Sequence, residues 1–289
     1  MDEDSKEKRK NMEQAALEQK NEDPARAAPA EKQNDDIYEL FKAMLVAALI
    51  ALVIRSFLFE PFNIPSGSLL PTLQIGDYLF VEKYAYGYSK YSFPFGIIDF
   101  KGRIWGSEPK RGDIVVFRQP KEVGIDYIKR VIGLPGDTVQ MKDGRLYING
   151  KMVQRRFVDD EYKTDDGSSQ IYKRYIETLP NGVQHYIYEI SDHSYYDNTP
   201  LYKVPQGDYF MMGDNRDRSL DSRAMNHVGF VPAENLIGKA EFVFFSTRGI
   251  GDKCDRTGSF ALVRSFACKL VAWPEAVRYG RIFKNVNKI

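Results

Sequence analysis

The residue types that are able to do chemistry lie in two short stretches, one built around serines and one around a lysine. The first contains the turn PSGS at positions 65–68, where glycine permits close approach of a substrate backbone. The second, DYIKRVIGLPGD at 126–137, places Lys129 in an apolar strand. A lysine activates a serine hydroxyl when burial lowers the pKa of the amine towards the working pH. The two stretches together fit a hydrolase with a serine nucleophile and a lysine base.

A serine–histidine–aspartate triad has poor support in this sequence. No G-x-S-x-G motif is present to expose a serine on a sharp turn. The histidines His185, His193 and His227 all lie in polar stretches of ordinary composition. Each half of the serine–lysine interpretation also has a simpler alternative, because a PSGS turn is usually only a turn and a strand lysine usually faces solvent.

A third stretch, GDNRDRSLDSR at 213–223, is a polar loop by composition. Its D-x-[DN]-x-D spacing is only a loose match to a calcium-binding loop, and no bidentate glutamate follows. Three histidines and two cysteines, Cys254 and Cys268, are too few and too scattered for a zinc cluster. The sequence therefore predicts no metal. Spacing does not decide whether the cysteines form a disulfide.

One segment, Ile37 to Phe59, has the composition of a membrane anchor. As a helix it would be about 34 Å long at 1.5 Å per residue, enough for a bilayer core of about 30 Å. Lys42 and Arg55 lie near its ends, where long side chains reach the interface. The uninterrupted apolar run at 43–54 is short for a bilayer, so a buried helix of a soluble protein remains the alternative.

The charges around this segment predict its orientation. Positive residues occur on its N-terminal side, whereas no lysine or arginine lies between Arg55 and Lys83. The positive-inside rule then places the N-terminus in the cytoplasm and the body outside. Residues 1–36 are polar and predict a disordered cytoplasmic tail. A cleavable signal peptide is disfavoured, because this tail precedes the apolar run and no small-x-small site follows it.

Residues 60–289 have the pattern of one β-rich domain. Short β-branched and aromatic runs alternate with Gly-Asp, Pro-Gly-Asp and Asp-Gly turns, and Asp143-Gly144 is a strong hairpin signal. Residues 151–206 are rich in Tyr, Asp and Lys and are predicted to be an insertion. The basic tail after Arg248 favours a solvated amphipathic end over a membrane-facing segment. The predicted strands cover 77–86, 113–119, 126–134, 137–142, 145–150 and 208–213.

In this order, the motifs resemble the conserved boxes of type I signal peptidases, which are membrane-anchored serine–lysine proteases. The four motifs are PSGSLLPT at 65–72, RGDIVVF at 111–117, YIKRVIGLPGD at 127–137 and GDNRDRSLDSR at 213–223. The resemblance extends from the apolar segment to about Ser246. One position departs from the pattern: Leu69 stands where the family usually has Met. Because the two side chains have similar volumes, we expect only repacking, near a membrane-facing rim.

The resemblance implies roles for the matching residues. Ser68 would be the nucleophile and Lys129 the general base. The Ser68 backbone N–H and the Ser66 hydroxyl would form the oxyanion hole, and Ser219 would orient the lysine. The supporting salt-bridge network would contain Arg130, Asp221 and Arg223. The shallow pockets for small P1 and P3 side chains would be lined by Ile64, Pro65, Tyr127 and Ile128.

The resemblance also implies a fold and a setting. The fold would be mainly β, with an N-terminal transmembrane helix and a mostly antiparallel, partly open coiled sheet resting on the outer face of the bacterial inner membrane. The substrates would be signal-peptide-bearing preproteins, with membrane lipid and the secretion translocon nearby, and no cofactor is implied. Basic and acidic residues number 41 and 40, so the net charge of +1 gives no sign of a nucleic-acid surface.

Two other classes of function remain as alternatives. One is a different serine–lysine peptidase, either a specialised maturation protease or a self-cleaving repressor. The predicted anchor and the lack of a recognisable DNA-binding domain count against a repressor. The other is a catalytically inert, membrane-anchored β module that binds partners. The intact set of Ser66, Ser68, Lys129 and Ser219 counts against it.

Overall fold

The computed structural model describes residues 7–14, 30–93, 99–122, 124–165, 168–248, 268 and 273–288. The chain divides into two compact units, Met1–Leu52 and Val53–Ile289. Helix α1 covers residues 7–14, and helix α2, Ala30–Phe57, crosses the division between the units. Within α2, the segment Ile37–Phe57 contains an 18-residue stretch with a mean hydropathy of 2.2. Among the described residues, this is the one helix long and apolar enough to cross a membrane.

Two predicted boundaries are corrected by the structure. The apolar segment was predicted to reach Phe59, but α2 ends at Phe57 and Phe59 pairs with Glu82 in an antiparallel ladder. There the Phe59 ring packs edge-on against Tyr84, with centroids 5.8 Å apart, a contact that favours the strand. Residues 7–14 and 30–36, predicted as disordered tail, are helical because Glu, Lys, Gln and Ala have high helix propensity. Residues 15–29 of that predicted tail lie outside the described residues.

The described part of the chain after α2 contains fourteen strands and several short 3₁₀ helices. The strands are β1 Phe59–Asn63, β2 Asp77–Glu82, β3 Ile114–Arg118, β4 Asp126–Gly133, β5 Thr138–Lys142, β6 Arg145–Ile148, β7 Lys151–Met152, β8 Gln154–Asp165, β9 Ser168–Thr178, β10 Gln184–Glu189, β11 Tyr202–Lys203, β12 Asp208–Met212, β13 Val231–Pro232 and β14 Leu236–Ser246. The 3₁₀ helices are Tyr84–Tyr86, Lys90–Ser92, Arg216–Arg218, Ala233–Asn235 and Tyr279–Arg281.

These strands form three sheets, and every strand pair is antiparallel. The main sheet has the order β1-β2-β14-β3-β4-β12-β13, and it is open because its edge strands do not pair with each other. Register shifts interrupt β12 and β14, and such bulges increase the twist of a sheet. The predicted mainly β, antiparallel and partly open fold is confirmed.

The hairpin predicted at Asp143-Gly144 joins β5 to β6. Both residues have positive φ, 47° and 67°, as a type I′ turn requires. These two strands belong to the four-stranded sheet β11-β5-β6-β7. The predicted insertion, 151–206, contains all of the three-stranded sheet β10-β9-β8 together with β7 and β11. Its ends therefore fall inside the four-stranded sheet.

The core explains why a lysine can be held away from water. Strand β4 lies between β3 and β12 in the main sheet, and its second half, from Lys129 to Gly133, is buried throughout. Leu69, next to the predicted nucleophile, is only 1% exposed and packs with Leu73 and Leu79 in the core. The expectation that Leu69 lies near a membrane-facing rim is therefore wrong. It is drawn inward because the apolar residues after the PSGS turn pack against β2.

Candidate active site

The polar loop 213–223 holds the serine turn in place through hydrogen bonds. The turn lies between β1 and β2, and Ser68 is buried while Ser66 is exposed. Asn215 clamps it twice: its backbone N–H donates to the Ser68 carbonyl, and its side-chain amide donates to the Gly67 carbonyl, each at 3.1 Å. The two motifs that are far apart in the sequence therefore meet at the serine.

Lys129 reaches the same point from the main sheet. It pairs with Val115 of β3, its side chain is 4% exposed, and its Nζ donates a hydrogen bond to Ser68 Oγ at 2.6 Å. Burial lowers the pKa of Lys129 to about 8, although the nearby carboxylates of Asp221 and Asp214 raise it. A substantial fraction of this amine is thus neutral near pH 8 and able to accept a proton.

Ser66 and Ser219 occupy different positions around this pair. Ser66 Oγ lies 3.4 Å from Ser68 Oγ, on the exposed side of the turn. Ser219 is buried and has no hydrogen bond of good geometry at its Oγ. It still lies near enough to Asp221 to help lower the pKa of that carboxyl.

Two buried guanidinium–carboxylate pairs lie around the lysine. Arg223 contacts Asp221 through Nε and Nη2, both at 2.9 Å, and Asp221 accepts from the Gly213 N–H at 3.0 Å. Arg130 contacts Asp214 at 2.8 and 2.7 Å. Burial would raise the pKa of both carboxyls, but the arginines outweigh it, so both pKa values are lowered. The structure thus joins Arg223 to Asp221 but pairs Arg130 with Asp214, which sequence reasoning did not single out.

The sequence analysis also missed a third buried group of charged and polar side chains. Glu177 of β9 pairs with Arg216, with Nη1 to Oε2 at 2.9 Å. His185 Nε2 of β10 lies 3.4 Å from Glu177 and 3.9 Å from Asp214. Burial, reinforced by Arg130, lowers the pKa of His185 and so favours its neutral form. The position of His185 in an ordinary polar stretch gave no signal for this burial, which depends on the pairing of β10 with β9.

A groove of about 520 Å³ runs over the serine and the lysine. The four residues predicted to line substrate pockets, Ile64, Pro65, Tyr127 and Ile128, all line it. The groove also contains Ser66, Ser68 and Lys129, whereas Ser219 lies beneath it. Further lining residues that were not predicted include Tyr172, Asn215, Arg218 and Leu220. An extended peptide in this groove would pass its backbone over the Ser68 hydroxyl.

Comparison with known proteins places most of the chain in one group. Residues 37–245 match the family described as signal peptidase, peptidase S26. A signal peptidase I of Rickettsia typhi is 45% identical over 266 residues, which is 89% of this chain and 97% of the relative. One from Rickettsia prowazekii is 44% identical over 89% of this chain and 96% of the relative. A crystal structure of a signal peptidase I from Enterococcus faecalis is 28% identical, covers 46% of this chain and 97% of its own, and has a TM-score of 0.27.

The contact between loop 213–223 and the serine turn leads to a prediction about Gly213. A Cβ atom here would lie against Ser219 Oγ and 2.5 Å from the Ser68 carbonyl oxygen. Gly213→Ala should therefore lower the free energy of unfolding by about 1–3 kcal/mol, the usual cost of overpacking. Urea denaturation of the full chain in detergent measures this.

Gly280→Ala is the matched control, since a Cβ at Gly280 meets nothing within 4 Å. It should stay within about 0.5 kcal/mol of the wild type. Equal stability of the two variants would show that Gly213 is not the point of close approach.

Proposed function

The chain belongs to the signal peptidase (peptidase S26) family, and from this premise we propose that it is a serine endopeptidase that removes N-terminal signal peptides from exported preproteins at the membrane surface. Ser68 is the nucleophile and Lys129 the general base. The observation that carries this proposal is the 2.6 Å hydrogen bond between Lys129 Nζ and Ser68 Oγ, which joins two buried side chains. Within the described residues, the hydrogen-bond partners of Ser68 Oγ are Lys129 and Ser66, and neither is a histidine.

The chemistry follows from these positions. Neutral Lys129 takes the proton of the Ser68 hydroxyl as Oγ attacks the scissile carbonyl carbon. The resulting alkoxide is stabilised by the Ser66 hydroxyl and the Ser68 backbone N–H. Lys129 then donates its proton to the leaving amine as the peptide bond breaks, which leaves an acyl-enzyme. Water, deprotonated by Lys129, attacks the ester carbonyl carbon. The bond to Ser68 Oγ then breaks, Lys129 returns the proton to Oγ, and the signal peptide leaves with a free carboxylate.

The residues around the dyad act through it. Ser219 and Asp221 lie on the loop that supports Ser68, and Arg223 and Arg130 neutralise the carboxylates nearest to the lysine. These are positioning residues, because none of them is proposed to touch the scissile bond. Ile64, Pro65, Tyr127 and Ile128 leave shallow apolar pockets for the small P1 and P3 side chains of the substrate.

The setting proposed is the bacterial inner membrane. Helix α2 would anchor the chain with its N-terminus in the cytoplasm, so that residues 60–289 form one extracytoplasmic domain. There the preprotein arrives from the secretion translocon, and membrane lipid borders the catalytic domain. The support for this orientation is the absence of lysine and arginine between Arg55 and Lys83, against four positive residues at 20–42.

The orientation predicts the outcome of protease protection. Protease added to intact spheroplasts should digest the body and leave a tag at Met1 protected, because the bilayer shields the cytoplasmic side. Lysed spheroplasts are the control and should lose the tag as well. A tag cleaved in intact spheroplasts, with the body protected, would reverse the assignment.

The dyad predicts both a mutational effect and a pH profile. Ser68→Ala and Lys129→Ala should each lower the turnover of a preprotein with a small-x-small site by at least roughly 10²–10⁴-fold, because the nucleophile or its proton acceptor is lost. Since Lys129 must be neutral and burial lowers its pKa to about 8, kcat/KM should rise with pH and level off above about 8.

The exposed histidines supply matched controls for this prediction. His193→Ala and His227→Ala should each retain substantial turnover and an unchanged pH profile. A folded histidine variant as inactive as Lys129→Ala would contradict the lysine mechanism, as would a profile that falls on raising the pH from 7 to 8.

Ser66 predicts a separate effect on the transition state. Removing one oxyanion donor usually costs about 2.7–4 kcal/mol, so Ser66→Ala should lower kcat by roughly 10²–10³-fold. KM and the melting temperature should hardly change, because the exposed hydroxyl contributes little to the stability of the fold. Ser66→Thr keeps the hydroxyl and should recover much of the activity. Turnover of Ser66→Ala within a few-fold of wild type would assign Ser66 to the turn alone.

A further inference from the structure

Three carboxylates from separate parts of the fold, one of them on the polar loop 213–223, converge. Glu189 ends β10, Asp197 lies in the segment between β10 and β11, and Asp217 lies in the 3₁₀ helix Arg216–Arg218. One oxygen of each lies within 4.8 Å of the others. Glu189 and Asp197 are at most 1% exposed and Asp217 is partly buried, so two of the three carboxylates are shielded from bulk water.

Each of these carboxylates uses one oxygen in the fold and leaves the other without a partner. Asp217 Oδ2 accepts from the backbone N–H groups of Ile190 and Ser191 at 2.6 and 3.1 Å. Asp197 Oδ2 accepts from the Ser194 N–H, and Glu189 Oε1 lies 3.4 Å from Arg155. Asp217 Oδ1, Asp197 Oδ1 and Glu189 Oε2 are buried and have no hydrogen-bond partner. Such unpartnered buried oxygens are costly unless something else satisfies them.

The cations around the group are already engaged by other carboxylates. Arg155 also pairs with Asp192 at 2.6 Å, Arg216 pairs with Glu177, and Arg223 pairs with Asp221. Acidic side chains therefore outnumber basic ones in this region.

We propose that Glu189, Asp197 and Asp217 bind a divalent cation, with calcium preferred over magnesium. Calcium binds readily in a cage of carboxylate and carbonyl oxygens, whereas magnesium dehydrates reluctantly and usually keeps several of its waters. Two of the three carboxylates are buried, so the group is better matched to calcium. The ion supplies the missing partner of the three free oxygens and offsets the surplus negative charge.

The bound ion would tie together three parts of the chain that carry the candidate site. Asp217 stands two residues from Ser219 and from Asn215, which clamps the serine turn. The stretch 213–223, whose spacing only loosely matches a calcium-binding loop, therefore contributes one ligand, Asp217. The other two, Glu189 and Asp197, come close to it only in the folded chain. The expectation of no metal rested on the few, scattered histidines and cysteines and on the loose spacing within that single stretch. The proposal does not depend on Ser68 or Lys129 having a catalytic role.

The test uses the full chain in detergent, stripped of metal with a chelator, at pH 7.5. Calcium at about a hundredfold excess over its Kd should raise the melting temperature by roughly 5–10 °C, and the same concentration of magnesium should raise it less. Terbium, a luminescent calcium substitute, should give emission excited through tyrosine, since Tyr196 precedes Asp197. Calcium should displace that emission.

Variants identify the ligands. Asp197→Asn keeps the oxygen that accepts from Ser194 but loses the charge, so it should fold, resist heating better than the stripped wild type and lose most of the calcium response. Glu189→Gln should lose the response as well. Asp160→Asn removes an exposed carboxylate on β8 and should respond like the wild type.

Two results would overturn the proposal. One is a wild-type melting temperature unmoved by calcium together with no displaceable terbium emission, whether or not any variant folds. In that case stabilisation on acidification would indicate that the group shares protons. The other is a calcium response in Asp197→Asn equal to that of the wild type.

Discussion

The burial of the Lys129 amine is the interaction on which the rest of the site depends. A lysine in water holds its proton near neutral pH and is no base. Enclosure between β3 and β12 penalises the charged form, which lowers the pKa to about 8. A neutral amine also costs far less to bury than an ammonium ion. The same desolvation thus permits the lysine to lie in the core and favours the neutral form that the proposed mechanism requires.

The neighbouring carboxylates must be kept from reversing this effect. Asp221 and Asp214 both raise the pKa of Lys129, and either one bound directly to Nζ would make an ion pair with a firmly charged lysine. Each is instead engaged by a guanidinium, Arg223 and Arg130 respectively. A planar guanidinium satisfies both carboxylate oxygens at once, as a lysine ammonium does not. The arginines therefore keep both carboxylates from pairing with the Lys129 amine.

The sequence was sufficient for the parts of the fold that depend on local patterns. Alternation and turn residues predicted strands near β2, β3, β4, β5, β6 and β12, and the Asp143-Gly144 hairpin forms where its positive φ values permit it. The serine and lysine stretches stood out because an apolar strand interrupted by one lysine is locally unusual. Both lie in one groove in the structure.

What the sequence missed depends on contacts between distant segments. Asp214 was one of several charged residues in a loop, and only folding shows that it pairs with Arg130 of β4. Glu177 and His185 are buried because β9 and β10 pair and pack behind the loop, which no local pattern encodes. Helix α2 ends two residues before the predicted boundary at Phe59. Phe59 instead pairs with a residue of β2 that is distant in the sequence.

The acidic group at Glu189, Asp197 and Asp217 bears on the same balance of charge. It does not act on Lys129 directly; the charged groups that shift the pKa of the lysine are Asp221, Asp214 and Arg223. Glu189 nevertheless acts on Arg223, whose charge is needed to neutralise Asp221. In the mechanism proposed above, a loosened Arg223–Asp221 pair would leave Asp221 freer to hold a proton on Lys129. A cation bound to Glu189, as proposed, would leave Arg223 to Asp221 and so favour the neutral form of the lysine.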